Sequence, residues 1–577
     1  MSVRGFARLL QKYSITRHGI RCLSTKSELF QSGMPLLVRA AEHAAMGRTL
    51  AYDTYSEVNR DGKIAYSYHD VLSASSHLHK YFKQMKKQIN ANDPPQRIAF
   101  LCPPGPQYIS TQFACWSSGS IAVPLCISHR SNELAYVLKD CDPTVIIDGT
   151  SNPASSELQI AAEETGLLDR YHCLNDLMNG FDDTNANIPY ALGSHGDINS
   201  MDSGALIIYT SGTTGSPKGV VHSHRNIYHQ VTDLIDAWGW SKEDAILHFL
   251  PLHHVHGIIN KLACCCWAGG SVEFIRFDPV KVWKRLADAS KRRNTKLYSK
   301  IGRTEELLEL REPTLFMAVP TVYSKMLESA GNVDGKEVCS HLRLMVSGSA
   351  ALPAGIHNRW KELTGHTILE RYGMTEFAMA LSNPLAPVER RLPGYVGLPL
   401  PSVEVKIVSE ETGKTVGGQV QSGELCVRGP TVFQEYWQKE DATRESFDEE
   451  GYFRTGDVAE YDKAVNSYRI LGRLSVDIIK SSGFKLSALE IERELLEHDD
   501  LAEVVVLGIP DEVKGESVAL ICRMSSAASD IELKDLQAWC GKRMAPYKIP
   551  SVMLVMKDIP KNAMGKVSKK QLIHLFR

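Results

Sequence analysis

The apolar run ALIIYT at 205–210 passes without a break into SGTTGSPKG at 211–219. A short apolar run of this kind reads as a buried strand. The residues after it read as neither strand nor helix: Tyr209 to Gly219 hold six hydroxyl side chains, three glycines and one lysine. Thr210, Ser211, Thr213, Thr214 and Ser216 offer hydroxyl donors, and Lys218 offers a positive charge. Gly212, Gly215 and Gly219 let backbone N–H groups turn and approach an anion. A flexible Gly/Ser linker has a similar composition, but the order of residues here is more specific than composition requires. The stretch reads as a loop that closes on a polyphosphate. It is not the Walker A pattern, because Gly219 rather than Ser or Thr follows Lys218.

The same alternation of short apolar runs with helical stretches extends on both sides of the loop. RIAFLCP (97–103), SIAVPL (120–125), TVIID (144–148), LFMAVP (315–320) and LRLMVSGSA (342–350) read as buried strands of mainly parallel sheets, so the fold class is α/β. Short strands between GELCVRG (423–429) and DVAEYD (457–462) predict a smaller β-rich subdomain. After the polar stretch ILGRLSVDIIKSSG (470–483), helical and strand patterns alternate to the end and predict a compact α+β unit. At 577 residues the chain is too long for one core. A net charge of -2 gives no reason to expect a nucleic-acid or membrane-surface binder, and no apolar run reaches the ~18 residues of a membrane span. The 13 cysteines include no C-x-x-C pair, and Cys264, Cys265 and Cys266 are adjacent in an apolar stretch, which reads as reduced, buried thiols. The charge-dense segment 291–312 reads as a solvated helical insertion.

The first 29 residues obey a different rule. Arg4, Arg8, Lys12, Arg17, Arg21 and Lys26 precede the first acid, Glu28, and on a helix Arg4, Arg8 and Lys12 lie opposite Phe6, Leu9, Leu10 and Tyr13. This is the pattern of a mitochondrial transit peptide, with a cleavage point after Leu23 in RCLS and a mature chain beginning between residues 23 and 30. A disordered basic arm is the alternative. The matrix is the compartment expected.

Further signatures stand in order along the chain: RYGMTE (371–376), GELCVRGP (423–430), YFRTGD (452–457), GRLSVDIIKSSGFKLSALEIE (472–492) and PKNAMGK (560–566). With YTSGTTGSPKG, these resemble the ANL adenylate-forming enzymes over roughly residues 35–577, and the runs LERYGMTE, SNPL, VSGSAALP and PKNAMGK resemble the malonyl-CoA synthetase branch of the mitochondrial acyl-CoA synthetase family member 3 type. The resemblance implies a large adenylation domain (30–472) and a small mobile domain (473–577) joined by a hinge near 474–477. It implies that Thr210, Ser211, Gly212, Thr213, Thr214, Gly215, Ser216, Pro217 and Lys218 hold the ATP phosphates. Tyr372, Gly373, Met374 and Thr375 would line the adenine and α-phosphate, Asp457 and Arg473 would meet the ribose, and Glu376 would carry Mg²⁺. Lys566 would reach the α-phosphate and the attacking carboxylate in the first half-reaction. Rotation of the small domain would then bring in KSSGFK (480–485), with Ser482 and Gly483, for attack by coenzyme A; no carrier domain follows, so a free thiol cofactor is expected. Taken singly, Asp457 could be a turn residue, Glu376 a helix-start acid and Lys566 a surface lysine.

Which acid is activated is less direct. LPLHHVHG (250–257) carries His253, His254 and His256 where the family commonly has aromatic or apolar residues; Arg371 precedes YGMTE, and Lys325 lies on a helix expected near the acyl site. Added cations suit a second carboxylate, which Arg can grip with two parallel hydrogen bonds. His254, Arg371 and Lys325 are the candidates for that group, and malonate, with methylmalonate as a weaker substrate, is the acid expected. The alternatives are a medium- or long-chain fatty acyl-CoA synthetase of the same fold and an inactive adenylate-binding scaffold. The sequence leaves the oligomeric state open.

Overall fold

The computed structural model describes residues 35–53, 65–86, 95–150, 153, 156–179, 201–210, 217–294, 311–409, 412–416, 420–481, 484–511, 513–525, 531–561 and 567–576. The basic N-terminal stretch and most of the charged segment 291–312 lie outside them.

Six runs read as buried strands are strands: Arg97–Leu101, Ile121–Pro124, Val145–Asp148, Gly204–Thr210, Leu315–Ala318 and Leu344–Ser347. Five of these are buried at every residue and pair in parallel, as strands covered on both faces do. They divide between two sheets. The seven-stranded sheet has Gly204–Thr210 and Lys218–Ser223 as an antiparallel pair beside its parallel strands, with Thr210 opposite Lys218. The hydroxyl-rich run 211–216 is the chain that joins these two strands. The nine-stranded sheet sets Leu369–Tyr372, Leu344–Ser347, Leu315–Ala318 and Ala245–His248 side by side and parallel. Their carboxyl ends open toward one side, the place where open α/β sheets bind ligands.

The β-rich expectation corresponds to a four-stranded antiparallel sheet of Glu404–Val408, Val420–Arg428, Phe453–Asp462 and Ser467–Arg473. A further mixed sheet runs through Ile478–Ser481, Phe484–Ser487, Leu501–Asp511, Gly515–Met524 and Val552–Val555. The helices Ala488–Leu495 and Leu533–Cys540 bury Ile491, Leu495, Leu536 and Cys540 in a core separate from those of the larger sheets. Between the two sheets, the chain from Arg473 to Asp477 is tied on both sides. Asp477 accepts a hydrogen bond from the Arg473 backbone N–H at 2.9 Å and pairs with Lys569 at 2.6 Å, while Lys569 also reaches Glu492 at 2.8 Å.

The 12 cysteines described are free, and Cys264, Cys265 and Cys266 are fully buried. Burial pushes all three thiols up, so they behave as small apolar side chains. Among the described residues no helix is long and apolar enough to cross a membrane.

Candidate active site

The ends of the phosphate-loop hairpin are held by their surroundings. Tyr209 donates to Asp140 at 2.7 Å, Lys439 pairs with the same carboxylate at 2.9 Å, and Tyr136 donates to the Pro217 carbonyl at 2.7 Å. Thr210 Oγ1 lies 3.4 Å from the Lys218 carbonyl across the hairpin. Lys218 projects over the ring of Tyr436, its Nζ 4.6 Å from the centroid, and the Tyr436 hydroxyl donates to Glu376 Oε1 at 2.9 Å. The loop's cation and the acid of RYGMTE are thus joined through a tyrosine. Nothing in the sequence singles out Tyr436, because it stands alone among ordinary loop residues. Ser211, Gly212, Thr213, Thr214, Gly215 and Ser216 lie outside the described residues, as do Ser482, Gly483 and Lys566.

The strand Leu369–Tyr372 delivers the next group. Gly373 has no room for a side chain, since a Cβ there would lie 1.8 Å from the Ala378 carbonyl. This close approach folds Met374 and Thr375 back toward the phosphate-loop hairpin. His222, buried in that hairpin, donates from Nε2 to the Thr375 carbonyl at 2.8 Å and accepts from Gln230 at Nδ1. Burial pulls its pKa down to about 4, so it is a neutral strut. Glu376 is buried, and burial raises its pKa. A buried carboxylate in that condition is stabilised by a cation. Among the described residues no group of three metal-ligating side chains exists, so an ion here would complete its shell with oxygens from a ligand or water. That chemistry fits Mg²⁺.

Asp457 and Arg473 are cross-strand partners in the four-stranded sheet. Arg473 Nε donates to Asp457 Oδ1 at 2.9 Å, and Tyr372 donates to Asp457 Oδ2 at 2.6 Å. Burial works against the charge on Arg473, but Asp457 outweighs it and holds the guanidinium more firmly protonated than usual. Met374 Sδ lies 3.9 Å from Arg473 Nη2, which links this pair to the Glu376 segment. Three distant stretches of chain thus meet around Glu376, Asp457 and Lys218, with acids and cations placed to take hydroxyls and phosphates.

At the carboxyl ends of the four parallel strands lies a second cluster, of bases that no acid among the described residues pairs with. Arg371 is 3% exposed and passes over Gly348; its Nη2 is 3.4 Å from Ser349 Oγ, which in turn is 3.4 Å from His256 Nδ1. No carboxylate among the described residues pairs with Arg371, and its Nε has no partner. Burial lowers its pKa to about 9, which leaves it charged near neutral pH. His253 and His256 are held neutral by burial, and the rings of His253 and His254 lie 4.1 Å apart. Of the three substrate candidates, Arg371 is in this cluster and His254 is two residues from its His256. Lys325 is not drawn in: it is exposed on the helix Pro320–Glu328, whose buried face carries Val322, Tyr323 and Met326.

The buried acid Glu376 and the Asp457–Arg473 pair stand beside the hairpin that carries Lys218, and the chain belongs to the AMP-binding enzyme family of adenylate-forming enzymes. The AMP-binding enzyme model matches residues 39–437, and the AMP-binding enzyme C-terminal domain matches 490–566. The chain is 42% identical over 549 residues to the mitochondrial malonate–CoA ligase ACSF3 of Xenopus laevis, covering 90% of this chain and 89% of that one. It is 38% identical to a malonate–CoA ligase of Arabidopsis thaliana, covering 89% and 85%. Among solved structures, ATP-bound MatB from Rhodopseudomonas palustris superposes with a TM-score of 0.78 at 28% identity, covering 94% and 98%.

Proposed function

We propose that this chain is an ATP-dependent malonate:CoA ligase that acts through a malonyl-adenylate. The observation that carries the choice of acid is Arg371: a buried guanidinium with no carboxylate of its own. A buried cation without a counter-ion is costly, and a second carboxylate on the substrate supplies what is missing. A fatty acid would instead lay a methylene chain against that charge.

One carboxylate of malonate attacks the α-phosphorus of ATP; the bond to the bridging oxygen breaks and pyrophosphate leaves. Lys218 and the hydroxyl-rich loop hold the phosphates, Asp457 takes the ribose hydroxyls, and the Tyr372–Thr375 segment borders the adenine. Lys566 neutralises charge shared between the entering carboxylate and the α-phosphate. Mg²⁺, held by Glu376, would offset the charge of the leaving pyrophosphate. In the second half-reaction the thiol of coenzyme A loses its proton and attacks the acyl carbonyl, and AMP departs. The small domain turns about 474–477 between the two steps, exchanging Lys566 for the segment of Ser482 and Gly483. Methylmalonate, one methyl larger, fits the same charge pattern as a weaker substrate. The basic, acid-free N-terminus and the mitochondrial relatives support import into the matrix.

The test is pyrophosphate release by residues 30–577 with ATP and Mg²⁺ on malonate, methylmalonate, acetate, octanoate and palmitate, with the thioester product identified. Turnover confined to the two dicarboxylates is expected. Preference for octanoate or palmitate would overturn the choice of acid.

The packing of Arg371 gives a second check. A Cβ on Gly348 would lie 2.6 Å from both Cζ and Nε of Arg371. Gly348→Ala is expected to push the guanidinium aside and reduce kcat/KM for malonate by about 10²-fold, since a misplacement of roughly 1 Å costs that much. The KM for ATP should stay within about threefold.

A further inference from the structure

We infer that Asn260 and Lys261 form the floor of the acyl chamber and, together with Arg371, select an acid that carries a second carboxylate. This rests on the malonate reading above. The chain from His256 to Ala263 is a π-helix, a form found mostly as short segments at functional sites. With hydrogen bonds from i to i+5, His256 and Lys261 lie one turn apart. His256 is already tied to Arg371 through Ser349.

The strands fix how deep Lys261 sits. Its ammonium donates to the Met317 carbonyl at 3.0 Å and lies 4.5 Å from the centroid of the Phe249 ring. Met317 is in register with Val346, and Val346 with Leu369. Arg371 is two residues beyond Leu369 on the same face of its strand, so the Met317 carbonyl that holds Lys261 lies roughly 7 Å further down the strand direction and two strands, about 9.5 Å, across the sheet. Met317, Val346, Leu369 and the helix residues Ile258, Ile259 and Leu262 share one core, which puts the helix on the sheet face that Arg371 occupies.

Several buried polar groups of this helix and the strands beside it are unfinished. Lys261 has no solvent exposure, has three donors, and meets one acceptor and a ring face. No carboxylate among the described residues pairs with it. Asn260, also without exposure, has neither its amide nitrogen nor its amide oxygen bonded. Ser347 Oγ, His256 Nε2 and Arg371 Nε lack partners as well. Buried polar atoms are nearly always satisfied, and a cluster of exceptions calls for something to fill it. Here the missing partner is an acceptor-rich anion. Arg371 meets the distal carboxylate from the side, and Lys261 with Asn260 meets it from below. Burial also drives the Lys261 ammonium toward its neutral form, a condition that a bound carboxylate reverses.

The experiment compares kcat/KM for malonate and for isovalerate, which keeps the skeleton but replaces the distal carboxylate with an isopropyl group. Wild type should favour malonate strongly; a wild type that does not would overturn the malonate reading itself. Lys261→Met is expected to lower malonate kcat/KM by about 10²-fold, chiefly through KM, while isovalerate is unchanged or improved. Lys261→Arg should recover part of the loss, and Asn260→Leu should lower malonate about tenfold with the same direction of selectivity. Equal loss on both acids, or wild-type discrimination in Lys261→Met, overturns the inference. If Lys261→Met does not fold, judged by thermal melting, the Asn260→Leu selectivity ratio decides by the same criterion.

Discussion

Arg371→Met is expected to reduce kcat/KM for malonate by about 10⁴-fold, because the site would then bury the substrate's distal carboxylate without a partner. The size of the effect comes from the way Arg371 is built in. Its guanidinium is 3% exposed, spans the bare backbone of Gly348 and has the Ser349 hydroxyl at 3.4 Å. Water cannot readily take its place. Methionine fills similar volume without charge, so the variant should melt at the wild-type temperature or above it, as buried ions replaced by apolar groups often do. Arg371→Lys should also be impaired, since an ammonium cannot supply the parallel pair of donors. Steady-state kinetics with malonate and a melting curve decide this. Activity retained within tenfold in Arg371→Met would remove Arg371 from substrate recognition.

Asp457→Ala is expected to lower kcat/KM for ATP by roughly 10²- to 10⁴-fold, the equivalent of two charge-assisted hydrogen bonds at about 1.5–3 kcal/mol each. The carboxylate is the common acceptor for buried Tyr372 at 2.6 Å and half-buried Arg473 at 2.9 Å. Removing it withdraws the ribose acceptor and leaves Arg473 without its counter-charge. Stability should also fall, by less than the loss of a fully buried pair because the Arg473 side chain is 28% exposed. Asp457→Asn separates the two effects: it keeps a hydrogen-bonding oxygen for Tyr372 but loses the charge that holds Arg473. An ATP KM near wild type in both variants would show that Asp457 serves the sheet and not the nucleotide.

The parallel strands were legible because each is a short apolar run closed by Gly, Pro or a polar residue, a pattern that burial on both faces imposes. Glu376 and Asp457 could be singled out because each stands inside a motif with a fixed order of residue types, and the structure places both in one buried cluster. Tyr436 and His222 could not be singled out. Each acts through one contact with a distant segment, on Glu376 and on the Thr375 carbonyl, and a lone tyrosine or histidine carries no local signal of that. Lys325 shows the converse. Its position on a helix near the acyl region suggested a substrate contact, but the helix turns Val322, Tyr323 and Met326 inward and leaves the lysine in solvent.

By itself, then, the order of residues determined the α/β class and the family, since these depend on local patterns that survive in one dimension. Which cations are buried without a carboxylate among the described residues was decided only in three dimensions. Arg371, Ser349 and the helix that carries His256 and Lys261 come from separate parts of the chain, and they come together where that helix packs on the parallel strands. Lys261 belongs to no sequence motif, and only its packing against the sheet removes it from water. The physical reason is that a charge becomes informative when it is desolvated without a partner, and desolvation is a property of packing, not of sequence.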